Sequence, residues 1–137
     1  MKKMLIKENE IPRVALNDMN KVHDVEIEIV NKLYDAIMKN EDAAEILKYF
    51  DEFLNDVINH FTFEQGLMEK YNFFAHPMHR AEHDRVLYEL KSLEKMLKEK
   101  GDIKTVKDYL ENVFKPWIIN HVQTMDTVTA MYLSNFV

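Results

Sequence analysis

A chain of 137 residues, 47% hydrophobic and 31% charged, is enough for one domain with a sizeable core, and its two glycines and three prolines are too few for a turn-rich β protein. A net charge of −6 with no basic patch argues against nucleic acid or an anionic membrane as partner. The absence of cysteine excludes disulfides, zinc ribbons, iron–sulfur clusters and thiol nucleophiles, so any metal must be held by His and carboxylate.

In chain order, MKKMLIKENE carries lysines but not the apolar run of a signal peptide, and no later stretch is long enough to span a membrane. The expected compartment is the cytoplasm. Residues 1–17 form a mixed arm containing Pro12. Helical periodicity then covers 18–39, with Asn17 or Asp18 as the expected cap, and 42–71. An aromatic link, NFFAH, leads to Pro77, suited to the first position of a third helix over 77–100 that stops at Gly101. A fourth helix covers 103–133, with Pro116 expected to kink or divide it. Long amphipathic helices with short connections predict an all-α, single-domain, antiparallel up-down four-helix bundle over 18–133, preceded by the arm.

The inward stripes carry the anomaly. The second helix reads Ile46, Phe50, Phe53, Val57, His60, Glu64, Leu67, which puts a histidine and a glutamate in line with Phe and Val. The third reads His79, His83, Val86, Leu90, Leu93, Leu97; the first, Met19, His23, Ile27, Val30, Tyr34, Ile37; the fourth, Val106, Leu110, Phe114, Trp117, His121. A carboxylate on such a stripe needs a partner, because burying an unpaired charge is expensive. His23 and His79 lie early in their helices, whereas His60 and His121 lie late. In an antiparallel bundle all of them fall at one end.

Singly these are weak signals. A lone inward His is more often a hydrogen-bonded core residue, and His pairs at i, i+4 occur on many surfaces. Their coincidence in one layer points to a metal site. His76 is set apart: it precedes Pro77, so an extended or turning backbone is expected, and it reads as a surface or supporting residue rather than a ligand. His121 and Asp126 are five apart, which places them roughly 140° apart around an ideal α-helix. Asp126 on its own reads as a surface residue.

His23, HFTFE (His60 to Glu64), HRAEH (His79 to His83) and HVQTMD (His121 to Asp126) together resemble the hemerythrin family, specifically its single-domain bacterial members. Asn31, Met68 and Trp117 also fit that pattern. The resemblance implies a non-haem di-iron centre, oxo- or hydroxo-bridged. His79, His83 and His121 would hold one iron, His23 and His60 the other, and Glu64 and Asp126 would bridge them. For Asp126 to face inward with His121, a local π-type widening between the two is expected. The departures are Asn20, Gln65, Phe73 and Phe74, and an arm without tryptophan; none removes a ligand.

Ligand counting completes this reading. Two six-coordinate ions offer about twelve positions, of which five imidazoles, two bridging carboxylates and a shared oxygen fill about eleven. The vacancy falls on the side of His23 and His60, where O2 could bind. Phe61, Trp117 and Ile118 are candidates to line that pocket and exclude water, as well as plain core residues. No histidine has a glutamate three residues before it, unlike the carboxylate-rich sets of ferritin-like oxidases. Reversible O2 binding for storage, delivery or supply is expected. A di-iron enzyme acting on peroxide or nitric oxide, or an oxygen or redox sensor, is the alternative.

Overall fold

The structure is a computed structural model and describes residues 3–137; the first two residues of the expected arm lie outside the described residues. Three helices, α1 (Asn17–Met38), α2 (Ala43–Lys70) and α3 (His76–Lys100), are joined by short turns. A fourth rod runs without a break through Ile103–Tyr109, Leu110–Phe114, Lys115–His121, Val122–Asp126 and Thr127–Leu133. The helices form the expected antiparallel bundle, with α1 against α2 and α2 against α3. No helix among the described residues is long and apolar enough to cross a membrane.

The helix ends follow local chemistry, with one exception. Asp42 caps α2 by accepting from the Glu45 backbone N–H, and Asp102 caps the fourth rod through Thr105. Gly101, at φ 60°, takes the left-handed conformation that ends α3. The exception is α1, whose cap position is Leu16 and carries no side-chain hydrogen bond. Neither Asn17 nor Asp18 caps it. Instead Asn20, one turn in, accepts from Val14 N and donates to Val14 O, tying arm to helix.

The arm docks without a tryptophan. Leu5, Ile6, Ile11, Val14 and Leu16 are buried, and Asn31 accepts from the Leu5 and Ile6 backbone N–H groups while donating to Ile6 O.

The expected stripes hold on α3 throughout, where every residue from His79 to Leu97 on the stripe is buried. On α1 Tyr34 is only half-buried, and on α2 Met68 rather than Leu67 closes the buried face. The fourth rod departs most. Its buried stripe is Val106, Leu110, Phe114, Ile118, Val122, Asp126 and Ala130, in unbroken steps of four. On an ideal α-helix each such step drifts by about 40°, or about 240° over six steps. Two π-helical turns, Leu110–Phe114 and Val122–Asp126, each take up about one residue, about 100° of that drift.

The second turn is the widening expected between His121 and Asp126. The first ends just ahead of Pro116, which does not divide the rod: the wide turn accommodates the missing N–H. It also rotates Ile118 into the core and leaves Trp117 half-buried, which corrects the stripe read from the sequence.

Candidate metal centre

His23, His60, Glu64, His79, His83, His121 and Asp126 meet at one end of the bundle, each at most 2% exposed. The geometry follows from helix spacing. His60 and Glu64 are one turn apart on α2, as are His79 and His83 on α3, so each pair shares an inward face. The wide turn brings Asp126 round to join His121.

All five imidazoles turn Nε2 inward. His60 Nε2 lies 2.6 Å from Glu64 Oε2; His23 Nε2 lies 3.4 Å from that oxygen and 3.0 Å from Asp126 Oδ2. On the other side His79 Nε2 is 3.4 Å from Glu64 Oε1 and 3.0 Å from Asp126 Oδ1. His83 Nε2 is 3.5 Å from Glu64 Oε1, and His121 Nε2 is 3.3 Å from Asp126 Oδ1. Each carboxylate therefore gives one oxygen to a two-imidazole set and the other to a three-imidazole set. Each set has its ligand atoms within 4.8 Å of one another.

These contacts are close but unsatisfied. Glu64 Oε1 and both Asp126 oxygens are buried without a hydrogen bond. His121 Nε2 faces His79 Nε2 at 3.1 Å and His83 Nε2 at 3.3 Å, so lone pairs crowd one point. Buried donors and acceptors are normally paired, and leaving carboxylates orphaned costs several kcal/mol. A cation at the focus of each set satisfies every one of these atoms at once.

The electrostatics agree. Burial alone would lower His23 and His79, but the Asp126 and Glu64 carboxylates outweigh it and hold each at about 9. His60 is likewise raised against burial by Glu64 and Glu26. Burial, reinforced by the neighbouring imidazoles, pushes His83 down to about 3 despite Glu64. Burial and mutual repulsion would raise Glu64, and burial would raise Asp126, yet the surrounding histidines hold both well below the usual carboxylate range. The cluster demands positive charge, which bound cations would supply by displacing protons.

The outer ring nitrogens have partners that stripe reading did not name. With Nε2 toward a cation, Nδ1 carries the proton and must donate. His60 Nδ1 donates to Glu26 Oε1 at 2.9 Å, and His79 Nδ1 to Thr129 Oγ1 at 2.8 Å. Gln65 Nε2 stands 3.2 Å from His83 Nδ1, and turning the amide over would put its oxygen there as the acceptor. Glu26 follows His23 by three residues and Thr129 follows Asp126 by three, so helical spacing from a known inward residue was the available signal. Behind Glu26, burial and the adjacent Glu26 charge push the Asp56 carboxyl up to about 6.

Aromatic rings wall the three-imidazole side. Phe61 stacks on His83 with centroids 3.8 Å apart, and Trp117 stacks on His121 at 4.5 Å while its indole N–H donates to Glu82. Ile118 is buried beside them. His76 belongs to neither ligand set. It is helical, not extended: as the first residue of α3 it precedes Pro77 at the second position, where no intrahelical N–H is yet needed.

Comparison with known proteins gives one consistent result. A profile described as "Hemerythrin HHE cation binding domain" matches residues 14–133. A bacteriohemerythrin of Aquifex aeolicus (strain VF5) is 40% identical over 133 residues, covering 96% of this chain and 100% of its own length. A bacteriohemerythrin of Methylococcus capsulatus is 29% identical, covering 82% and 83%, and a hemerythrin-like protein of Naegleria gruberi is 31% identical, covering 82% and 81%. Among solved structures, wild-type hemerythrin superposes with a TM-score of 0.77 at 22% identity, covering 94% of this chain and 96% of that one. At that identity the likeness speaks for the fold.

Proposed function

The chain belongs to the hemerythrin family, and from that premise we propose that it binds dioxygen reversibly at two iron ions rather than turning it over as an enzyme. His79, His83 and His121 would hold one iron and His23 and His60 the other, with Glu64 and Asp126 shared between them. The observation that carries this reading is the division of both carboxylates between the two imidazole sets. A single ion would need one oxygen of each.

Bound iron would supply the reversible redox chemistry by which dioxygen is held and released. The protein's own part is to bind, orient and shield. The set with two imidazoles, His23 and His60, offers one protein ligand fewer, and dioxygen would bind on that side. Phe61, whose ring also lies 5.1 Å from that of His60, and the buried Ile118 help to keep bulk water from the interior, while Trp117, anchored outward by Glu82, covers the three-imidazole side. The predominance of neutral imidazoles over anionic ligands favours release over oxidative chemistry.

The test is anaerobic loading with ferrous iron, a count of iron per chain, then cycles of O2 and vacuum followed by visible absorption. Two irons and a colour that appears and fades reversibly support a carrier. Irreversible bleaching on first exposure, or a single bound ion, removes that reading.

A further inference from the structure

The two halves of the centre differ in what stands behind their imidazoles. Among the described residues, one outer ring nitrogen has a carboxylate within ion-pair distance: His60 Nδ1, 2.9 Å from Glu26 Oε1. His79 and His83 are backed by the neutral Thr129 hydroxyl and Gln65 amide. His23 Nδ1 is buried without a partner. The charged support therefore stands on the side that has only two imidazoles.

Glu26 is itself unusual. It is 1% exposed, and His60 is its sole ion-pair partner among the described residues, with no Lys or Arg beside it. A carboxylate in so dry a place is strongly unfavourable unless nearby positive charge compensates it. The His60 ring alone supplies that only while protonated, and its Nε2 points at the metal set. A cation on the far side of the ring compensates Glu26 through it. The carboxylate also pins the ring and makes its inner nitrogen a stronger donor. α1 thus contributes twice to one half of the centre, directly through His23 and, one turn on, through Glu26 behind His60.

We propose that Glu26 is a positioning residue that acts through His60 to retain the cation on the two-imidazole side, offsetting that side's missing ligand. This rests on the paired-metal reading, and the experiment separates the two.

Metal-free wild-type protein, Glu26→Gln, Glu26→Asp and Gln65→Ala are titrated anaerobically with Co(II) alone. Heat and the visible ligand-field bands are followed, and circular dichroism confirms the helices. Wild type should take two ions. Glu26→Gln keeps an acceptor for Nδ1–H but removes the charge; its second ion should bind about 10–100-fold more weakly, with the first unchanged. Glu26→Asp, which keeps the charge, should lie between. Gln65→Ala should weaken the other ion. Two ions bound by Glu26→Gln with wild-type affinities and bands overturn the proposal, as does equal weakening of both ions. Wild-type protein that takes only one ion overturns the paired-metal reading, and Glu26 with it.

Discussion

Along α2 the inward face passes from Ile46, Phe50, Phe53 and Val57 to His60 and Glu64 with no change in burial: every one of these side chains is at most 1% exposed. The far half of the bundle is an ordinary core, where Phe53 meets Phe114 edge-on with centroids 5.0 Å apart. The near half has the same helices and the same dryness but carries orphaned carboxylate oxygens and crowded ring nitrogens. The apolar half is complete as it stands, because apolar contacts satisfy themselves. The polar half is left with desolvated charge that calls for cations, because such charge does not satisfy itself. Burial alone therefore says nothing about which half is functional; unsatisfied chemistry does.

This contrast can be broken from either side. The largest effect should come from the apolar half. Phe53→Ala leaves a cavity between α2 and the fourth rod and should cost about 3–5 kcal/mol in urea unfolding, while the metal count per chain stays at two. From the polar half, Glu64→Ala removes an oxygen from both sets at once. It should weaken binding of the metal pair by at least about 100-fold, read by competition with a chelator. The metal-free fold should survive, since one more alanine on α2 suits a helix.

The pH dependence sharpens the contrast further. His23 and His79 are held at about 9 in the folded metal-free protein against an unfolded value near 6.5. Folded protein thus binds more protons than unfolded between these values. The stability they contribute is complete below pH 6.5 and lost as pH rises through 9. Thermal unfolding of the metal-free protein should fall in midpoint across that window. The metal-loaded protein, whose cations replace those protons, should lack this decline. The smallest effect should be Trp117→Phe, which keeps a ring over His121 but loses the bond to Glu82, at about 1 kcal/mol.

Much of this was legible in advance. α3 buries the stripe its periodicity marks, and the six polar residues on inward stripes come together in one layer, joined by Asp126, which only the family resemblance had named. The π turn after His121 was legible once the resemblance turned Asp126 inward, because a spacing of five cannot keep two side chains on one α-helical face. The same arithmetic applied to the steps of four from Val106 to Ala130 would have revealed the earlier wide turn and exchanged Trp117 for Ile118. The capping of α1 was misread: Asn20 and Val14 meet six residues apart, through an arm whose path no helical period describes.

What remained hidden shares one character. Glu26 behind His60, Thr129 behind His79 and Gln65 beside His83 are contacts between helices. A helix's inward face is encoded within a few turns of its own chain, since 3.6 residues per turn converts spacing directly into direction. Which atom on that face meets which atom on the next helix depends on how two rods are offset and rotated. That is set by packing summed over the whole interior, so the residue types could be read along the chain while their partners emerged only from the assembled bundle.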